Sequence, residues 1–260
     1  MSSGRGLSGR HAVITGGGRG IGAAIAQQLA ELGAQVTLMG RSRDSLEAQA
    51  RVLRPLADVH CEAVDIADAA SVAAAFAGAA RVFGPVAILV SNAGQAVSAP
   101  FGKTDPALWQ RMLDVNLTGT YLGARAVLPD MLAAGWGRIV NVASTAGQKG
   151  YPYVSAYCAA KHGVIGLTRA LALELTHKGI TVNAVCPGYT DTDIVRDAVA
   201  NICAKTGRSE AEARQELARH NPQGRLVLPQ EVANAVAWLC LPGSEAMTGQ
   251  SISVSGGEVM

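Results

Sequence analysis

Short runs of β-branched and aliphatic residues alternate along the chain with longer stretches in which apolar positions recur every three or four residues. The short runs predict strands at His11–Thr15, Gln35–Met39, His60–Val64, Ala87–Val90, Arg138–Val142, Thr181–Cys186 and Ser251–Val254. Several are apolar nearly throughout, the pattern of parallel strands buried on both faces. The longer stretches predict helices at Gly20–Leu32, Ser42–Leu56, Ala69–Phe83, Pro106–Ala134, Ser155–Lys178 and Pro229–Leu239. Strand and helix in turn imply an α/β protein: a doubly wound, seven-stranded parallel sheet with helices on both faces and right-handed crossovers. Tyr189–Leu228 breaks the rhythm. It is polar, charged and helical around Glu210–Arg219, and is expected to form a flap at about 189–228 that covers the active-site edge and excludes water. No repeat or linker divides residues 1–260, which read as one domain.

Composition narrows the picture. With 260 residues, 49% apolar and 16% charged, the chain can fill one buried core. A net charge of +2 with scattered Lys and Arg argues against a nucleic-acid partner. The longest apolar stretch, Ala69–Ala80, is shorter than the ~18 residues of a membrane span, so no membrane association is expected. Met1–Gly6 lacks the apolar stretch of a secretory leader. Five cysteines (Cys61, Cys158, Cys186, Cys203, Cys240), without a Cys-x-x-Cys pair, read as reduced thiols of a cytoplasmic protein with no metal site.

The first candidate site is Thr15-Gly16-Gly17-Gly18-Arg19-Gly20-Ile21-Gly22, between the first strand and first helix. A tight turn that brings backbone N–H groups close to a pyrophosphate at a helix N-terminus requires glycine, here Gly16, Gly20 and Gly22. The second strand ends Met39-Gly40-Arg41-Ser42, without the acid that would accept hydrogen bonds from an NAD ribose. Arg41, with Arg19 reaching the same place, favours the 2′-phosphate of NADP(H) over NAD(H). Asp65, at the end of the third strand, either hydrogen-bonds the adenine or caps the next helix.

The second site is assembled from Asn92-Ala93-Gly94, Ser144, and Tyr157 with Lys161 at i+4, one turn away on the same helix face. Hydride transfer to a ketone needs a proton donor, and the reverse reaction needs a base. Tyrosine can serve as both if a nearby cation stabilises the phenolate. Ser144 is suited to hold the substrate oxygen. Asn116, mid-helix where asparagine is a poor choice, suggests an irregularity that frees a carbonyl to hold a water behind Lys161.

Together, Thr15–Gly22, Asn92-Ala93-Gly94, Asn116, Ser144, Tyr157, Lys161 and Pro187-Gly188 resemble the short-chain dehydrogenase/reductase family over residues ~10 to 257. The one visible departure is Ser91, where many members have asparagine. The resemblance implies a Rossmann fold and a catalytic set of Asn116, Ser144, Tyr157 and Lys161. It further implies that Lys161 bonds the nicotinamide ribose and that Pro187, Gly188, Thr190 and Thr192 border the nicotinamide. Gly18, Ile21 and Ile66 complete the residues expected against the dinucleotide. A homotetramer is implied as well, through the helices carrying Asn116 and Tyr157 and through the last strand.

Gln95, Gln148, Tyr151 and Tyr153, with Ser144, are the expected substrate-binding residues, and they offer no clamp for a carboxylate or sugar. The segments Asn183–Gly188 and Asn221–Arg225 most resemble 3-oxoacyl thioester and polyketide ketoreductases. Carrier-protein reductases of that branch carry a basic pair at the site's mouth, matched here by Gly135 and Lys178, half a pair. The leading expectation is therefore an NADP(H)-dependent 3-oxoacyl reductase acting on a small ketone or acyl thioester. The alternatives are a secondary or cyclic alcohol dehydrogenase and a non-catalytic NADP-binding redox sensor.

Overall fold

The computed structural model describes residues 6–260; the reading of the first five residues lies outside them. Strands β1 (His11–Thr15), β2 (Gln35–Gly40), β3 (Val59–Ala63), β4 (Ile88–Ser91), β5 (Gly137–Val142), β6 (Ile180–Pro187) and β7 (Ser251–Val254) form one sheet in the order 3-2-1-4-5-6-7. Every neighbouring pair is parallel. The expected seven-stranded doubly wound sheet is therefore present, with strand ends shifted by a residue or two.

Alternate residues of the central strands enter opposite cores, which is why those runs are apolar nearly throughout. Ala12, Ile14, Ile88, Val90, Val140 and Val142 pack with α1 (Gly20–Glu31), α2 (Arg43–Leu53) and α9 (Pro229–Cys240). Val13, Leu89, Ile139 and Val182 face α3 (Ala69–Phe83), α5 (Gly119–Ala134) and α6 (Ser155–Leu175).

Two stretches differ from expectation. The single helix expected over Pro106–Ala134 is α4 (Pro106–Leu113), a wide π-type turn at Asp114–Thr118, then α5. The side chain of Asn116 donates to the Met112 carbonyl (3.0 Å) and so competes with the helical ladder. After β6, the chain forms α7 (Asp193–Thr206) as well as the expected α8 (Glu210–Ala218). Charged residues interleaved along α7 hid its apolar positions Val195 and Val199, which pack on Ala213 and Leu217 of α8.

Parallel strands place all their C-terminal ends on one edge. Gly16, Arg41, Asp65, Asn92, Ser144 and Gly188 therefore meet there, although the sequence spreads them over most of its length.

Candidate active site

At the β1–β4 crevice, where the strand order reverses, the Thr15 hydroxyl accepts the backbone N–H groups of Asn92 and Ala93 (both 3.0 Å). The Asn92 amide donates to the carbonyls of Thr15 (3.0 Å) and Gly16 (3.3 Å). Asn92 thus holds the glycine turn in shape, an arrangement that sequence spacing did not reveal. The turn leaves no room for side chains. A Cβ at Gly22 would lie 2.1 Å from the Gly16 carbonyl oxygen, and Gly16 itself has a φ of +66°. The residue opening α1, Arg19, offers its first turn no side-chain cap. Donors at Gly20, Ile21 and Gly22 therefore point into a bare cradle, which fits a pyrophosphate.

Arg41 is exposed beyond the end of β2. Arg19, also exposed, does not converge on it: its guanidinium pairs with Asp193 of α7 at 3.4 Å. Asp65 accepts the Ala67 N–H, and α3 is capped instead by Asp68, so the capping alternative for Asp65 is excluded. Ile66 is buried against the position a Gly119 Cβ would take. Thr190 and Thr192 are buried, and Thr192 lies 3.3 Å from the Cβ position of Gly20, so the segment leaving β6 folds back over the glycine turn.

Ser144 follows β5 in extended conformation, and its oxygen accepts the Ala146 N–H at 3.0 Å. The Ser144 side chain lies near the phenol of half-buried Tyr157 and acts to lower its pKa. Lys161 is buried, donates to the Val142 carbonyl (2.9 Å), and stands 5.7 Å from the Tyr157 ring centroid. Burial pushes the Tyr157 phenol up to about 12, Ser144 pulling the other way. Burial also lowers the Lys161 ammonium to about 8. The expectation that Lys161 draws the phenol down is not met here: burial sets the direction, and the ammonium is turned to the Val142 carbonyl. Buried Asn116 clasps Gln95, accepting its N–H (3.2 Å) and donating to its carbonyl (3.0 Å), while the Asn116 carbonyl accepts from Thr120 Oγ1 (3.0 Å).

The substrate-side expectations change most. Gln148 is turned away, donating to the Ser251 carbonyl and accepting from Ser253 Oγ of β7. Tyr151 has its hydroxyl committed to Thr145 (2.8 Å) and Glu258 (2.5 Å), leaving only its ring for a ligand. Tyr153 stands at the rim, 62% exposed with a φ of +66°. Gln95 is half-buried beside the site. Gly135 and Lys178 lie at the starts of β5 and β6, on the opposite edge of the sheet, so they do not border this chain's own site mouth. No sequence feature singled out Glu258.

A family model described as short chain dehydrogenase matches residues 10–202. The chain is 41% identical over 253 residues to a cis-4-hydroxycyclohexanecarboxylate dehydrogenase of Sinomonas cyclohexanicum, covering 95% of this chain and 96% of that one. It is 38% identical over 252 residues to an acetoacetyl-CoA reductase of Rhizobium meliloti (96% and 98% covered). A crystal structure of an actinorhodin polyketide ketoreductase variant with NADPH superimposes with a TM-score of 0.92 at 37% identity, covering 96% of this chain and 97% of that one.

Proposed function

The chain belongs to the short-chain dehydrogenase family, and within it we propose an NADP(H)-dependent ketone reductase whose substrate is a 3-oxoacyl thioester. As a member it is an oxidoreductase acting on a ketone and the corresponding secondary alcohol. The observation that carries the reading is Ser144 beside the Tyr157 phenol, with Lys161 buried 5.7 Å from that ring's centroid, on the same sheet edge as the open donors of α1.

The α1 donors, Asn92–Gly94, Asp65 and Ile66 would hold the dinucleotide, with Pro187, Gly188, Thr190 and Thr192 at its nicotinamide end, and when bound it would supply a hydride for the carbonyl carbon. Tyr157, with its pKa about 12, keeps its phenolic proton at neutral pH and gives it to the oxygen that becomes the alcohol. Ser144 hydrogen-bonds that oxygen and aligns it with the phenol. Lys161, charged below about pH 8, stabilises the phenolate left behind once it turns from the Val142 carbonyl toward it. The Asn116 carbonyl keeps one lone pair beyond its bond to Thr120, enough to hold a water that returns a proton from solvent.

A secondary or cyclic alcohol dehydrogenase is the second reading, favoured by the 41% identity to the cis-4-hydroxycyclohexanecarboxylate dehydrogenase. A non-catalytic sensor has no use for Ser144 and a buried Lys161 gathered at the Tyr157 ring. The segment 189–228 is read as a cover over the site, within one domain spanning 1–260. Exposed Tyr121 on α5 and Leu173 on α6 support a homotetramer, and the free cysteines a cytoplasmic enzyme.

The test is NADPH consumption, with NADH in parallel, against acetoacetyl-CoA and a panel of cyclic and aryl ketones. Rapid thioester turnover with NADPH supports the proposal. Turnover confined to free ketones moves the enzyme to the second reading, and none with any carbonyl removes both.

A further inference from the structure

Glu258, third from the C-terminus, carries a carboxylate that is only 2% exposed. One oxygen receives the Tyr151 phenol at 2.5 Å and lies 3.2 Å from Lys149 Nζ and 4.0 Å from His220 Nδ1. The other is buried without a partner, 3.0 Å from the Cβ position of Gly188. A buried anion is costly, so this one is a designed junction or a defect. Its surroundings favour a junction. Because a carboxylate only accepts, the phenol proton goes to Glu258 and the Thr145 hydroxyl donates to Tyr151. That chain ends one residue from Ser144.

The rings of Tyr151, Tyr189 and His220 pack mutually, with centroids 5.4–6.2 Å apart. Beside His220, Asn221 presses on the tail at Gly256, where a Cβ would overlap its side chain, and Pro222 sits against Gly257. Glu258 therefore joins three segments: 145–151 after β5, 188–189 after β6, and 220–222 just past α8.

We propose that Glu258 is a positioning residue that ties the wall carrying Thr145 and Tyr151 to the α7–α8 cover, and so sets how tightly that cover closes on substrate. Its kinetic readout rests on the ketone-reductase reading; its structural readout does not.

The experiment compares Glu258→Ala, Glu258→Gln, Tyr151→Phe and the Glu258→Ala/Tyr151→Phe pair. Trypsin reports the cover directly, since Arg196, Lys205, Arg208, Arg214, Arg219 and Arg225 lie in it. Glu258→Ala is expected to be cut there at least fivefold faster, and to raise the ketone KM about tenfold while kcat changes less than threefold. Glu258→Gln, which keeps an acceptor for Tyr151, restores most of both. In the Tyr151→Phe background, Glu258→Ala adds less than twofold in KM, because the two act through one bond. Cleavage and KM like the parent's overturn the proposal, as does a fall in kcat at unchanged KM or full multiplication of the two effects. If the parent reduces no ketone, the functional reading fails and trypsin alone decides Glu258. If Glu258→Ala does not fold, Lys149→Ala and His220→Ala, on the exposed side of the same carboxylate, take its place in the cleavage assay.

Discussion

Asn116 holds Gln95 by both of its backbone polar groups, Oδ1 accepting its N–H at 3.2 Å and Nδ2 donating to its carbonyl at 3.0 Å. The same Nδ2 donates to Met112, so one buried amide fixes both the wide turn and the loop after β4. Asn116→Ala leaves these groups unpaired and is expected to cost about 3 kcal/mol, a few orphaned groups at roughly 1 kcal/mol each. Asn116→Asp should be worse, because a carboxylate would face two carbonyls. Urea denaturation of the three proteins checks the order; an Asp variant as stable as the parent would remove this role.

Lys161 is predicted to be a net burden on stability. Burial brings its pKa from 10.5 down to about 8. Below pH 8 the ammonium is charged in folded and unfolded chains alike, and the full desolvation penalty is present. Between pH 8 and 10.5 the folded chain has released a proton that the unfolded chain still binds, so stability from this group rises with pH. Lys161→Met should therefore gain about 2 kcal/mol at pH 7, after allowing for the lost bond to Val142. The gain should shrink toward zero by pH 10 while activity is lost. Melting curves at the two pH values decide; a gain independent of pH would mean that packing, and not charge, is responsible.

Gly22→Ala places a methyl 2.1 Å from the Gly16 carbonyl and 2.6 Å from the Asn92 amide. Neither is a flexible side-chain end that can swing away, since Asn92 is pinned by its bonds to Thr15 and Gly16. The variant should lose about 3 kcal/mol of stability, together with at least tenfold in NADPH affinity by fluorescence titration. Affinity like the parent's would show that the turn relaxes freely.

The two arginines should contribute unequally to cofactor choice. Arg19 is engaged with Asp193, whereas Arg41 is exposed at the end of β2. Arg41→Gln is expected to reduce the NADPH-over-NADH ratio of kcat/KM at least tenfold, the worth of one charge-assisted contact of about 1.5–3 kcal/mol. Arg19→Gln should do less. An unchanged ratio in Arg41→Gln would mean that the 2′-phosphate is recognised elsewhere.

Local pattern sufficed wherever function depends on backbone geometry or fixed spacing. Strands buried on both faces are apolar at most positions, so β1, β5 and β6 could be read directly, with polar residues such as His11, Arg138, Asn141 and Asn183 finding hydrogen-bond partners. A turn with no room for a Cβ must be glycine, which made Gly16–Gly22 legible. Tyr157 and Lys161 lie one helical turn apart, so their shared face follows from their spacing. Only the tertiary structure decided what depends on groups far apart in sequence meeting in space. Gln148 turned to β7, Tyr151 spent its hydroxyl on Glu258, and Gly135 with Lys178 fell on the far edge of the sheet. Arg19 found Asp193, and burial rather than Lys161 set the Tyr157 phenol. The physical reason is common to all five. Desolvation and side-chain hydrogen bonding depend on which neighbours surround a group in three dimensions, and nothing in a residue's local sequence specifies them.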